Sequence, residues 1–292
     1  MKISCIEHPY LRQFTKSFAV ETEAGDFLID TGLHSGIPRI EAAVKEIKGI
    51  LCTHEHWDHT GGHAYFRDRG AKVYAHAGGE AVLRDVDRQW KLLYGQFEED
   101  CGVPPERREI YFNEVGEPPE IDVLLEDDQE LHLGETRVQV IAVPGHSDGS
   151  VAFYLPESGD IFTGDVVCGA GFFRALPQIN HINSYKETLE KLRKMDVERE
   201  YSAHAPGVRS RKEFQQLLKD GLDCIERMSV WTKQYLDAHP GGASLKELAD
   251  HICRKETDKV SGSGAYITSA AYLEMYADQY ETAALCCQKY IL

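Results

Sequence analysis

"THEHWDHTGGH", Thr53 to His63, decides how this chain reads. It follows an apolar run, "GILC" (Gly49 to Cys52), that has the character of a buried strand. His54 and His56 alternate, so at a strand end both rings lie on one face and can converge on one ion. Asp58 and His59 come where the chain turns, and Gly61 and Gly62 let the next helix begin close to the cluster. Four candidate ligands thus fall in the six residues from His54 to His59. Imidazole suits zinc and iron, and carboxylate adds negative charge. A histidine-rich surface loop would not be led in by an apolar strand. Three protein ligands suffice for one zinc, so further ligands downstream would imply two ions.

Such ligands are present. "PGHSDGS" supplies His146 just after the apolar strand Val138 to Val143, "FTGD" supplies Asp165 after "GDIF", and "SAHAP" supplies His204 after "EREY". Each sits at the C-terminal end of a strand beside small residues that let a metal approach. Singly each is weak, because a lone histidine at a strand end is usually a hydrogen-bonded structural residue. In this order, behind the first cluster, they form one constellation.

The order His-x-His-x-Asp-His, Pro-Gly-His, Gly-Asp and a late His resembles the metallo-β-lactamase-fold hydrolases. The resemblance covers roughly Ile3 to Gly207, with "LIDTG" and Asp30 at the family's early Asp-Thr-Gly turn. It implies an α/β chain folded as an αββα four-layer sandwich, with a two-metal site at one sheet edge. Carried over residue by residue, His54, His56 and His146 would bind the first metal, Asp58, His59 and His204 the second, and Asp165 would bridge them. "AHAP" around His204 departs from the Gly-His-Gly of many relatives, which changes loop stiffness rather than ligation. The implied cofactors are two divalent ions, zinc first, with iron or manganese as alternatives. Two carboxylates leave two divalent ions with excess positive charge, which favours a bridging hydroxide as nucleophile. Asp165 as the bridge and Asp58 as a ligand able to take a proton are the candidate catalytic carboxylates.

Outward from the cluster, the first two thirds of the chain alternate strand-like and helix-like segments. A hairpin is expected around Glu23-Ala24-Gly25-Asp26, and a helix over "IPRIEAAVKEIK" with Ile37, Ile40, Val44 and Ile47 on one side. A polar, helix-prone insertion runs from about Glu80 to Pro119. "SYKETLEKLRKM" reads as a helix with Ser184 as N-cap and Glu187 completing a capping box. Beyond Pro206 the pattern turns helical, with helices expected over Arg211–Ala238, Ser244–Lys255 (capped by Ser244 with Glu247) and Ala265–Tyr290. The expected division is a catalytic region 1–208 and a helical C-terminal region 209–292. Tyr266, Tyr272, Tyr276 and Tyr280 form a loose series that packs against the core or, in the sharper reading, lines a substrate pocket.

Composition excludes several classes. Asp and Glu number 48 against 32 Lys and Arg, a formal net charge of −16, which repels phosphate backbones and anionic lipid. The nearest candidate for a basic patch, "VRSRK" (Val208 to Lys212), reads as a solvated helix start. The eight cysteines are scattered without a CxxC pair, no apolar leader opens the chain, and no stretch approaches the ~18 apolar residues of a membrane span. The expectation is a cytoplasmic protein with a small-molecule substrate and neither nucleic acid nor membrane as partner. Its terminal helices either roof the site or form a homodimer face.

The fold alone does not name a substrate. The helical tail and "PGHSDGS" resemble glyoxalase II-type thioesterases, while "CGAGFFR" after Asp165 only loosely echoes their Cys-Gly-Arg element. Lactonase relatives carry a tyrosine shortly after the bridging aspartate, and "VVCGAG" has none. The expected function is dinuclear hydrolysis of a small thioester, ester or lactone, in a pocket shaped by the insertion and by "GAGFFRALP". A nuclease or phosphodiesterase is disfavoured by the acidic balance. An iron oxygenase resembling the persulfide dioxygenases is disfavoured because His204 and Asp58 fill the second metal position that those enzymes leave empty. A regulatory protein that keeps its metals is the remaining alternative. Cys168 reads as a small packed residue, His34, His63, His76 and His181 as supports rather than ligands, and Trp57 as packing under the loop.

Overall fold

Apolar side chains alternate along short strands, and this alternation builds two facing sheets. The computed structural model describes residues 2–10, 13–166, 178–242, 244–256 and 263–290. The first sheet runs in chain order through β1 (Lys2–Tyr10), β2 (Gln13–Thr22), β3 (Gly25–Ile29), β4 (Ile47–Leu51), β5 (Lys72–His76) and β6 (Val123–Leu125). The pairs β1/β2 and β2/β3 are antiparallel, and those from β3 to β6 are parallel. The second sheet is ordered β12–β11–β10–β9–β8–β7. Its strands are β7 (Glu130–Leu133), β8 (Thr136–Ala142), β9 (Val151–Leu155), β10 (Asp160–Gly164), β11 (Arg199–Ser202) and β12 (Arg209–Ser210). Only β10 and β11 pair in parallel there.

Residues two apart share a face, and the burial follows that period. Phe18, Val20, Phe27, Ile29 and Leu51 of the first sheet meet Val138, Val140, Phe153, Phe162 and Tyr201 of the second. The rings of Phe162 and Tyr201 stack at 4.9 Å, and Phe18 closes on both. The intervening residues face outward. Ala19, Leu28 and Ile50 pack under α1 (Ile37–Ala43). With Val73 they also pack under Phe66 of α3 (His63–Arg67), which follows the single turn of α2 (Trp57–Thr60). Four layers result, αββα.

The remaining helices are α4 (Glu80–Leu83), α5 (Val86–Leu93), α6 (Glu98–Cys101) and α7 (Pro105–Glu114) in the insertion, then α8 (Ile182–Arg193), α9 (Arg211–Ala238), α10 (Leu245–Glu256), α11 (Ser263–Met275) and α12 (Glu281–Cys287). Ile141, Ala152 and Ile161 on the outer face of the second sheet share one cluster with Leu189 and Leu192 of α8 and with Phe214 and Leu218 of α9. The insertion and the tail join the same cluster. Tyr266 donates to the Cys101 carbonyl at 3.3 Å, and Phe97 stacks on Tyr290 at 5.5 Å. The tyrosine series is therefore packing: Tyr272 is fully buried and donates to the Ile225 carbonyl, Tyr276 meets Ser229, and Tyr280 donates to Asp237.

Three local expectations change. The first helix stops at Ala43; Val44 is extended and still buried, and Ile47 leaves for β4 because it pairs with Asp26. Ser184 is not a cap. Helix α8 begins at Ile182 with His181 at the N-cap, because the amides of Asn180 and His181 both donate to the Gly145 carbonyl and fix the start earlier. The last expected helix is two, with Tyr280 as N-cap of α12, and the turn between them lets Tyr276 and Tyr280 both dock on α9. The Ser244 hydroxyl does accept from the Glu247 amide. A capping box of Ser210 and Glu213, absent from the expectations, starts the 28-residue α9.

Phe162 is fully buried between the sheets. Phe162→Ala is expected to cost about 3–5 kcal/mol, read as a lower urea midpoint at unchanged slope.

Candidate metal centre

The site assembles where strands of both sheets end. β4 runs into His54 and His56, and α2 carries Asp58 and His59 one turn on. β10 ends at Gly164 and delivers Asp165, the loop after β8 delivers His146, and the loop after β11 delivers His204. Two of these exits need glycine. Gly145 has φ +123°, and a Cβ there would lie 2.5 Å from the Tyr185 backbone; Gly164 has φ +52°, with Thr53 Oγ1 at 2.6 Å from such a Cβ.

All seven residues singled out from the sequence come together, and all are buried. His54 Nε2 and His146 Nε2 each lie 3.1 Å from His56 Nδ1. In the second group His204 Nε2 is 3.4 Å, and His59 Nε2 3.9 Å, from Asp58 Oδ2. Asp165 reaches both groups: Oδ1 lies 3.3 Å from His59 Nε2, and Oδ2 lies 3.2 Å from His204 Nε2 and 3.8 Å from His146 Nε2.

These residues fit divalent ions on three counts. Donors about 2.0–2.1 Å from a tetrahedral ion stand about 3.3 Å apart, close to the 3.1 Å contacts of the first group and the 3.4 Å from His204 to Asp58 in the second. The outer nitrogens of four of the five histidines are committed elsewhere, which leaves their inner lone pairs free. Thr53 Oγ1 donates to Asp30 Oδ2 at 2.6 Å, so it must accept from His54 Nδ1 at 3.0 Å. His59 Nδ1 donates to Asp30 Oδ2 at 2.8 Å, His146 Nδ1 to the Gln178 carbonyl at 3.0 Å and His204 Nδ1 to the Phe14 carbonyl at 2.6 Å. Such partners orient ligating imidazoles. Finally, His59 Nε2 and Asp165 Oδ1 lie 3.3 Å apart at the buried centre, yet neither makes a well-formed hydrogen bond. Cation ligation would satisfy both.

The charges divide unequally. Burial, with other histidines nearby, lowers His54 well below the ordinary range and His56 to about 3, and burial lowers His146 as well. The three-histidine group is therefore neutral near pH 7. Burial also opposes charge on His59, but Asp165, Asp58 and the bond to Asp30 outweigh it and push it up to about 10. Asp165 and Asp58, though buried, are held below the usual carboxylate range by His204 and His59.

Several residues matter here that the sequence reading did not assign. Glu55, between two candidate ligands, is buried; Ser147 Oγ donates to its carboxylate at 2.9 Å, and Gln89 donates to its carbonyl. Lys16, also buried, donates to the Ala205 carbonyl beside His204. An acid inside "HEH" was a visible signal; a backbone carbonyl such as that of Phe14 leaves none. Of the four expected supports, His63 is bound to Thr31 Oγ1 at 2.7 Å, and the Thr31 amide holds the His59 carbonyl. His34 bonds the Gly61 carbonyl, His76 accepts from the Gly78 amide, and His181 pairs with Asp148. Trp57 is buried and donates to Tyr94 at 3.2 Å, packing under the loop. A further grouping of Asp30, Cys52 and His63 lies close by, but Asp30 already serves Thr53 and His59, and the Cys52 thiol donates to the His54 carbonyl. Cys168 and the 168–177 loop lie outside the described residues. Among the described residues no helix is long and apolar enough to cross a membrane.

Known proteins resemble this chain in sequence and fold. The metallo-beta-lactamase superfamily profile matches residues 12–204. The chain is 27% identical over 152 residues to a hydroxyacylglutathione hydrolase of Thermosynechococcus vestitus, covering 50% of this chain and 47% of that protein. It is 29% identical over 167 residues to the human acyl-coenzyme A thioesterase MBLAC2, covering 57% of this chain and 58% of that one. These matches span about half the length of the curated relatives. The crystal structure of a metallo-beta-lactamase family protein from Thermus thermophilus superposes with a TM-score of 0.77 at 20% identity, covering 95% of this chain and 93% of that one. The chain belongs to the metallo-beta-lactamase superfamily.

The unequal charges predict unequal pH dependence of metal binding. A proton on His59 at pH 7 must leave before that nitrogen can ligate, so the step that fills the Asp58/His59/His204 group should strengthen as pH rises toward about 10. The three-histidine step should be nearly flat near neutrality. Calorimetric zinc titration in buffers of different ionisation enthalpy should show proton release concentrated in that one step. Equal proton release in both steps would contradict this division.

Proposed function

We propose that this chain is a dinuclear metal-dependent hydrolase acting on a small thioester, with esters and lactones as neighbouring substrates. The observation that carries the reading is Asp165, whose two oxygens reach the donors of both groups. Two divalent ions, when bound, supply a water-derived nucleophile at neutral pH and a Lewis acid for the carbonyl oxygen. His54, His56 and His146 would hold the first ion and Asp58, His59 and His204 the second, with zinc the first candidate and iron or manganese the alternatives.

The protein's own part is positioning and proton handling. The outer hydrogen bonds to Asp30, Thr53, Gln178 and Phe14 hold four of the five imidazoles with their inner nitrogens free. Asp58, kept ionised by His59 and His204 despite burial, is placed to take the proton released as water adds to the carbonyl. In a thioester the C–S bond then breaks, the proton passes from Asp58 to the departing sulfur, and acid and thiol leave. Thioesters rank first because one curated relative above is named an acyl-coenzyme A thioesterase and the other a hydrolase of hydroxyacylglutathione. The insertion and the tail supply walls: a small cavity beside His56 is lined by Gln89, Leu93 and Gln96 of the insertion and by Ile267 of α11.

Metal analysis of protein purified without added metal, followed by a panel of thioesters, lactones and phosphodiesters on the same sample, tests the reading. About two ions per chain and thioester turnover are expected, and Asp165→Asn should lower kcat/KM by more than about a hundredfold. Stoichiometric metal with no turnover across the panel would count against it. One iron per chain with oxygen uptake would replace it with an oxygenase.

A further inference from the structure

We infer that Gln178 is a positioning residue for the three-histidine site, and that helix α11 of the C-terminal region sets it in place. This rests on the metal-ligand reading above. His56 differs from the other four histidines of the centre. Its inner nitrogen is Nδ1, which faces His54 and His146, so its outward nitrogen is Nε2. If Nδ1 is to ligate, Nε2 carries the proton and must donate. The group facing it at 3.5 Å is the side-chain amide of Gln178. That amide presents its nitrogen, which sets two donors face to face. Turning the carboxamide over exchanges its N and O with little change of shape and gives Nε2–H an acceptor.

The same residue already serves a second ligand, because its backbone carbonyl accepts from His146 Nδ1 at 3.0 Å. One glutamine thus addresses two of the three histidines, through its main chain and its side chain. Its own placement comes from two sides. The next amide, Ile179, donates to Thr268 Oγ1 at 3.0 Å, and Thr268 is fully buried on α11. The amides of Asn180 and His181 donate to the carbonyl of Gly145, the residue before His146. The superfamily match ends at residue 204, so Thr268 links a helix beyond the matched region to the metal ligands.

The outer partner of a ligating histidine typically contributes about 10–100-fold to metal affinity. Competition titration of the metal-free full-length chain with zinc against a chromophoric chelator resolves the binding steps without requiring turnover. Gln178→Ala should weaken one step about tenfold and leave the other within about twofold. Gln178→Glu keeps an acceptor at the same place and should retain wild-type affinity or exceed it. Thr268→Val, which removes only the hydroxyl acceptor, should weaken the same step by a smaller factor. Gln178→Ala with both steps unchanged, both steps weakened equally, or Gln178→Glu as weak as Gln178→Ala would each overturn the inference. A wild-type chain that binds no zinc would instead overturn the ligand assignment on which it rests, and those outcomes are distinguishable.

Discussion

The Asp30 carboxylate is the interaction on which the centre depends. It is buried, and it sits at φ +58°, a conformation that costs an ordinary residue energy. From there it accepts from the Thr53 amide at 2.7 Å, from Thr53 Oγ1 at 2.6 Å and from His59 Nδ1 at 2.8 Å. Those bonds tie the end of β3 to the end of β4 and to α2. They also orient one histidine of each metal group, His54 through Thr53 and His59 directly. A buried carboxylate is tolerable only when its lone pairs are this fully used.

Glu55 does for the opposite side what Asp30 does for the base. Burial pushes its carboxyl above the ordinary range, while the Ser147 hydroxyl and the Gly149 backbone oppose that shift. Its carboxylate links the turn carrying His54 and His56 to the turn carrying His146. Gly79 and Gly149 close over it; a Cβ at Gly149 would come within 2.5 Å of Glu55 Oε2. The glycine of "HSDGS" is thus explained by an acid far away in the chain, a dependence that no local pattern displays.

What was legible in the sequence follows from which forces are local. The strand-to-ligand exits could be read because period-two apolar runs and the glycines before His146 and Asp165 are written contiguously. The seven residues brought together at the sheet edge were named from those exits and from the family order. The helix starts were harder. Ser184 followed by Glu187 has the right spacing for a capping box, yet the Gly145 carbonyl captures the two preceding amides, and tertiary hydrogen bonds decide the start. The break between α11 and α12 likewise comes from tyrosine hydroxyls docking on α9 rather than from a glycine or proline.

The supports of the site were least legible because many use the main chain. Phe14, Gly145 and Gln178 contribute carbonyl groups, which every residue possesses, so residue type carries no trace of the role. Main-chain acceptors are also the parts most dependent on global packing. The Phe14 carbonyl meets His204 only because β2 begins beside the loop after β11, where Lys16 also holds the Ala205 carbonyl. The Gln178 carbonyl meets His146 only where α8, α11 and the turn before His146 converge. In this chain the candidate ligands are a local pattern, whereas the protons on their outer nitrogens are arranged by the fold as a whole.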